Sequence, residues 1–247
     1  MNIIINFIKE VFKKAGFSDT VIGLSGGVDS AVSFALVTQA LGIDHVYPVL
    51  LPYGSLSTQG VLDAMKLIEK LHVPFSHITR IDIKPAVDTI IKSDVMMDRV
   101  RRGNIMERVR MTYLFDQAKK RKALVVGTEN KTEHVLGYFT RYGDEASDVE
   151  PIRHLYKTQV YELAKQFMIP EEIIQKPPSA DLWPEQTDEG EFGFTYKDAD
   201  EILFLLVEEK KTEEEVVAAG FDKNLVSAVV RRMSFNFFKH ETPHILS

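Results

Sequence analysis

The segment Gly23-Leu24-Ser25-Gly26-Gly27-Val28-Asp29-Ser30 has the residue types of an anion-binding turn. Paired glycines admit positive φ and let a backbone approach a phosphate without a Cβ clash. A short apolar run, Thr20 to Leu24, precedes the glycines, and an apolar helical segment from about Asp29 to Leu41 follows. Such a helix aims free N–H groups and the positive end of its dipole at the turn. Ser25 and Ser30 add hydroxyl donors. Asp29 is the odd member, because a carboxylate repels phosphate. A bridging Mg²⁺ would reconcile the two, since it prefers carboxylate and phosphate oxygens. The turn lacks the Gly-Lys-Ser/Thr ending of a Walker A loop and does not follow the G-x-G-x-x-G spacing. The bland alternative is a glycine-rich strand-to-helix turn capped by Ser and Asp.

Other polar groups stand further along. Gly127-Thr128-Glu129-Asn130-Lys131-Thr132-Glu133 follows a compact apolar run, and Gly137-Tyr138-Phe139-Thr140-Arg141-Tyr142-Gly143-Asp144 comes soon after. Leu155-Tyr156-Lys157 and Pro178-Ser179-Ala180-Asp181-Leu182-Trp183 come later, and Gly103-Asn104-Ile105-Met106-Glu107-Arg108-Val109-Arg110-Met111 lies upstream. Asp98 to Arg110 concentrates Arg99, Arg101, Arg102, Arg108 and Arg110 in an otherwise acidic chain. That is either an anion site or a solvated helix face paired by Glu107. Lys157 taken alone reads as a surface lysine. His134 and His154 lack a second nitrogen or thiolate ligand at zinc spacing.

These residues need elements to place them. The chain has 247 residues, so one domain covering 1–247 is the expectation. Net charge is −6, which argues against nucleic-acid binding through bulk charge. Cysteine is absent, which excludes disulfides, thiolate nucleophiles and Cys-ligated metals, and fits a reducing, cytoplasmic setting. Met1 to Lys14 reads as an amphipathic first helix and not as a signal peptide. No apolar stretch reaches the roughly 18 residues of a membrane span, so no membrane contact is expected.

Strands are expected at Thr20–Leu24, His45–Leu51, Phe75–Ile83 and Ala123–Val126. Helices are expected around Val61–Leu71, Pro85–Lys92, Gly103–Arg121, Tyr156–Phe167 and Leu225–Phe238, with a Thr212/Glu215 capping box before another. Thr128 to Glu150 and the proline-rich, acidic Lys176 to Thr195 read as loops, the second long enough to act as a mobile lid. Alternation of this kind implies an α/β fold with a doubly wound parallel sheet, helices on both faces and a helical C-terminal part. Ligands then bind beyond the carboxyl ends of the strands, where the loops starting at Ser25, Pro52, Gly127 and Glu150 must lie.

The Ser-Gly-Gly-x-Asp-Ser string resembles the pyrophosphate loop of the N-type ATP pyrophosphatases, which cleave ATP between the α- and β-phosphates. The later segments, in this order and spanning about Val21 to Phe238, are similar to the motif set of ammonia-dependent NAD synthetases. The resemblance implies that Gly23 through Ser30 hold the ATP phosphates and that Asp29 and Glu133 bind Mg²⁺. It implies ATP contacts from Arg110, Thr128, Lys157 and Ser179, and dinucleotide contacts from Asn104, Arg108, Arg141, Asp148 and Lys239. Lys157 and Asp144 are the implied catalytic candidates, with Asp148 an alternative for the ammonia proton. The implied reaction joins nicotinic acid adenine dinucleotide (deamido-NAD) to ammonia through an acyl adenylate, giving NAD, AMP and pyrophosphate. A homodimer is implied as well.

The chain departs from the family pattern in places. Arg141 stands where Lys is frequent, Ser179 where Thr is common, and Glu107 where a small residue often sits. Phe238-Lys239 replaces a frequent His-Lys pair. The competing readings are a GMP synthetase-like amidation, for which the chain has no room for a glutaminase domain, and a non-enzymatic ATP-binding sensor, which would need the glycine loop but neither Glu133 nor Lys157.

Overall fold

Apolar strands buried on both faces dictate a parallel sheet wrapped by helices. In a computed structural model of the chain, residues 1–241 and Ile245 are described. Asp19–Gly23 forms β1, Val46–Leu50 β2, Thr79–Arg80 β3 and Ala123–Val126 β4. All pairings are parallel and the spatial order is β3-β2-β1-β4. Val21 sits opposite both Tyr47 and Val125 in register. The chain therefore steps outward from β1 and then crosses back, so the order reverses between β1 and β4. Such a switch point opens a crevice at the strands' carboxyl ends.

The α-helices among the described residues are α1 (Asn2–Ala15), α2 (Val28–Leu41), α3 (Thr58–Lys70), α4 (Lys84–Ile91), α5 (Arg99–Arg121), α6 (Lys131–Leu136), α7 (Lys157–Gln166), α8 (Glu171–Ile174), α9 (Asp188–Phe192), α10 (Tyr196–Leu203), α11 (Glu213–Ala218) and α12 (Lys223–Asn236). Apolar on most sides, α2 is buried against α1, α7 and the sheet. The opposite face is covered by α5, which packs on β1 and β4. The sheet is thus doubly wound. A second apolar cluster joins α6 to α10, α11 and α12 through Leu136, Tyr196, Leu203, Val216 and Val226. No helix among the described residues is long and apolar enough to cross a membrane.

Several boundaries differ from the sequence expectation for identifiable reasons. The third strand pairs only at Thr79–Arg80, with a 3₁₀ turn at Phe75–His77 before it. Being at the edge, it keeps single ladder bonds beyond that stretch, from Ile81 N–H to Leu50 O at 3.0 Å and from Ile83 N–H to Pro52 O at 2.9 Å. Asp98 starts α5 four residues before Gly103, because its carboxylate accepts the Arg101 N–H at 2.9 Å. Gly103 is tolerated inside the helix because Leu182 packs on it, 2.8 Å from where a Cβ would stand. Both expected loops contain a short helix. Asn130 caps α6, which Gly137 ends, and Thr187 caps α9, which Gly193 ends. The Thr212/Glu215 capping box forms at the start of α11 as read from the sequence.

The phosphate turn touches α3 where two backbones meet without side chains. Gly26 has φ +82°, and a Cβ there would lie 2.3 Å from Gly60 O. Gly26→Ala should therefore cost at least about 2 kcal/mol through positive-φ strain and a backbone clash, read as a lower urea midpoint. A loss below about 0.5 kcal/mol would show that turn and helix are not in contact.

Candidate active site

Three helix N-termini converge beyond β1 and β4. Asp29 is in the first turn of α2, Glu133 in the first turn of α6, and Lys157 is the first residue of α7. The Lys157 side chain is 3% exposed, with Nζ 2.6 Å from Asp29 Oδ2 and 3.0 Å from Glu133 Oε1. A cation at a helix N-terminus opposes the dipole. The two carboxylates hold it there. Asn130 locks the arrangement with both ends of its amide: Oδ1 accepts the Glu133 N–H at 3.0 Å and Nδ2 donates to Asp29 Oδ1 at 2.9 Å.

Beneath this group lies Tyr196, whose ring centroid is 4.7 Å from Lys157 Nζ. Its hydroxyl is within reach of Glu133 Oε1 at 3.2 Å and Asp188 Oδ2 at 2.9 Å. Tyr138 donates to the other Asp188 oxygen at 3.0 Å. Burial pushes Glu133 up to about 8, against the pull of Lys157 and with Asp29 and Asp188 adding to the rise. Burial also raises Asp188. For Lys157, burial acts downward, but Asp29 and Glu133 outweigh it and raise its pKa above the ordinary lysine value. One ammonium thus faces three carboxylates, and the pocket is short of positive charge. No cluster of three or more metal-ligating side chains stands ready among the described residues. The two carboxylates that meet at Lys157 Nζ, Asp29 and Glu133, are a donor set of the kind Mg²⁺ uses together with substrate phosphates.

The phosphate turn forms the near wall. Its hydroxyls brace the loop: Ser30 Oγ donates to Gly27 O at 3.0 Å, and Ser25 Oγ accepts the Gly27 N–H at 3.2 Å. Of the eight turn residues, seven line a cavity of about 250 Å³, and Gly26 instead faces α3. Arg110, Thr128, Glu133, Asp144, Lys157 and Ser179 line the same cavity. Arg110 is anchored by an ion pair to the buried carboxylate of Glu107 and by a bond to Leu51 O at 3.3 Å. Asp144 is exposed at the cleft wall, where its carboxylate accepts the Thr140 N–H at 2.8 Å.

The residues assigned to the dinucleotide gather elsewhere, around the turn 137–144. Asn104 accepts from Thr140 Oγ1 at 2.9 Å, and Arg108 donates to Arg141 O at 3.2 Å. Lys239 donates to Gly137 O and Phe139 O, each at 2.7 Å, and Arg141 reaches Glu241 O. Asp144 joins this cluster to the cleft. Asp148 stands apart, because its carboxylate accepts the Val125 N–H at 2.8 Å and its own N–H donates to Val125 O at 2.8 Å. It extends the sheet edge.

Sequence reading missed Asn130, Tyr138, Asp188, Tyr196 and the cleft lysine Lys176. The spacing Asn130-x-x-Glu133 is a capping signature that could have marked α6. Asp188, in the acidic segment expected to be a loop, is 4% exposed and lines the cleft. Trp183 packs its loop against α5, beside Gly103 and with Arg99 5.2 Å above the ring.

A parallel α/β sheet with a braced glycine turn and a carboxylate-held lysine at its switch point defines a nucleotide-phosphate-binding enzyme. The chain belongs to the NAD synthase family, whose profile matches residues 1–243. It is 46% identical over 244 residues to the NH(3)-dependent NAD(+) synthetase of Fusobacterium nucleatum subsp. nucleatum, covering 99% of this chain and 93% of that one. The structure of the NH3-dependent NAD synthetase from Campylobacter jejuni superposes with a TM-score of 0.83 at 32% identity, covering 100% and 96% of the two chains. The structure of NMN synthetase from Francisella tularensis superposes at 0.87 with 31% identity, covering 99% and 96%.

Behind the cleft, Gly127 lies against Glu150, whose Oε1 is 1.9 Å from where a Gly127 Cβ would stand. Glu150 accepts from Ser147 Oγ at 2.7 Å and the Glu129 N–H at 3.2 Å, and shares Arg153 Nη2 with Glu129. Burial pushes its carboxyl from the ordinary 4.5 up to about 7, against the pull of Arg153 and of the Ser147 hydroxyl. At Glu150 the folded chain then keeps a proton that the unfolded chain releases, so the contribution of this residue to stability falls as pH rises from 4.5 to about 7 and is level above. Glu150→Gln should remove up to about 3 kcal/mol of that fall, measured as the difference in urea stability between the two ends of the window. Equal slopes in both proteins would show that Glu150 is ionised throughout.

Proposed function

We infer that this chain makes NAD by amidating deamido-NAD with ammonia at the expense of ATP, as a ligase forming a C–N bond. The observation that carries the reading is Lys157, held by Asp29 and Glu133 at the mouth of the phosphate turn, in a chain of the NAD synthase family. GMP synthetase-like amidation and a non-enzymatic sensor are not favoured beside that membership.

The substrate carboxylate is a poor electrophile. One of its oxygens attacks the α-phosphorus of ATP, the bond to the β-phosphate oxygen breaks, and pyrophosphate leaves. Ammonia then attacks the acyl carbon of the adenylate, and the bond to AMP breaks. Negative charge grows on phosphate oxygens in the first step. The turn from Gly23 to Ser30, through the first N–H groups of α2, and the Lys157 ammonium answer it, with Arg110, Thr128 and Ser179 holding the nucleotide. Mg²⁺, when bound at Asp29 and Glu133, supplies further positive charge for the phosphates. Asn104, Arg108, Arg141, Asp148 and Lys239 are proposed for the dinucleotide, and Asp144, facing the cleft, for the proton of ammonium.

A homodimer is part of the proposal. Phe235, Phe237 and Phe238 are exposed beside the turn that Lys239 holds, an apolar face suited to a second copy. The proposed setting is the cytoplasm. The likeness to NMN synthetase supports a second substrate reading, in which the mononucleotide is amidated and the turn 137–144 has no adenylyl group to bind.

Purified protein with Mg-ATP, deamido-NAD and ammonium should give NAD, AMP and pyrophosphate in equal amounts, and little product with glutamine. Nicotinic acid mononucleotide in a parallel tube decides the substrate: faster turnover of the mononucleotide would overturn the dinucleotide reading. Lys157→Met should lower kcat by at least about 10²-fold while the protein still melts cooperatively. Retention of a tenth or more of the rate would remove Lys157 from the chemistry.

A further inference from the structure

Lys157 and Glu133 lie on different helices, 24 residues apart in sequence, yet must stay within 3.0 Å for the site to exist. Something has to fix α6 against α7. The first N–H groups of a helix have no intrahelical partner. Those of α7 are met from outside the helix. Lys157 N–H donates to Thr132 Oγ1 at 2.9 Å, and Thr158 N–H donates to Asp200 Oδ2 at 2.8 Å. Thr132 Oγ1 in turn donates to Asp200 Oδ1. Thr132 immediately precedes Glu133 on α6, and Asp200 lies on α10, one turn after Tyr196. Thr132 is fully buried and Asp200 is 5% exposed.

We propose that Asp200, acting through Thr132, is the positioning residue that sets the Lys157 ammonium against Glu133 for the adenylation step. The proposal rests on the NAD synthetase reading above. The hydrogen bonds run one way: every donor points toward the carboxylate, and both its oxygens accept. A carboxylate also suits the N-terminus of α7, where the helix dipole is positive. The same dipole disfavours the Lys157 ammonium, so Asp200 offsets at the backbone what the lysine costs at the side chain. An amide replaces it poorly: its oxygen can accept Thr158 N–H, but its NH₂ must then donate to Thr132 Oγ1, which reverses that bond and removes the negative charge facing the start of α7. A valine at 132 has the right shape but neither accepts from Lys157 N–H nor donates to Asp200.

The test uses the full chain and follows kcat, the KM for deamido-NAD and the rate of adenylation in a single turnover, with thermal melting as the folding control. Thr132→Val should lower kcat and the adenylation rate together by about 10- to 100-fold, the scale of a misplacement near 1 Å, and leave the KM for deamido-NAD within about twofold. Thr132→Ser, which keeps the hydroxyl, should restore kcat to within about threefold of wild type. Asp200→Asn should behave like Thr132→Val, and it carries the test alone if the valine variant does not fold. Wild-type kcat in a folded Asp200→Asn or Thr132→Val protein would overturn the proposal. So would a serine variant as slow as the valine one. A wild-type protein that does not turn over deamido-NAD would instead overturn the reading of function, which keeps the two failures apart.

Discussion

A buried ammonium between two carboxylates is the constraint on which the rest of the structure depends. Lys157 Nζ is almost wholly removed from water and stands at the wrong end of a helix for a cation. Desolvating a charge costs several kcal/mol unless partners with good geometry repay it. Asp29 and Glu133 are those partners, and each must come from a separate helix. The fold meets this need by ending β1 and β4 side by side at the switch point, so that α2 and α6 begin within reach of each other. Asn130 then turns proximity into geometry, because one amide satisfies the cap of α6 and grips the carboxylate of α2.

Much of the scaffold was legible in the sequence because its signals are local. β1, α2 and β4 lie within a residue of their expected limits, each an apolar run bounded by glycine or a charged residue. Edge position hid the extent of β3, since an edge strand needs only one partner and can leave the ladder early. The helices α6 and α9, of six and five residues, are too short to show a 3.6-residue period, and only their caps announce them.

The site divides in the same way. The glycine turn is a local device, and its chemistry could be argued from residue types alone. Lys157 could not, because nothing near it in sequence distinguishes it from a surface lysine; its motif order alone singled it out. Tyr196 and Asp188 were invisible because their partners are distant, Tyr196 meeting Glu133 across 63 residues. Asp188 also shows why charge counting misleads. It lies in an acidic run, yet its carboxylate is buried and accepts from both Tyr138 and Tyr196.

That burial changes how the segment from Lys176 to Thr195 should be understood. A flexible loop would make few bonds with itself. This one is tied internally, with Leu182 N–H on Gln186 Oε1 at 2.8 Å, Gln186 Nε2 on Glu191 Oε1 at 2.8 Å and Asp188 N–H on Pro178 O at 3.0 Å. It is tied outward as well, through Trp183 against α5 and Asp188 against Tyr138 and Tyr196. Ser179 enters the cleft from this braced segment. Moving it aside would break the Asp188 bonds and expose carboxylates that now share two tyrosine hydroxyls. The segment is therefore tied, through Asp188 and the Tyr196 hydroxyl, to the same Glu133 that holds Lys157.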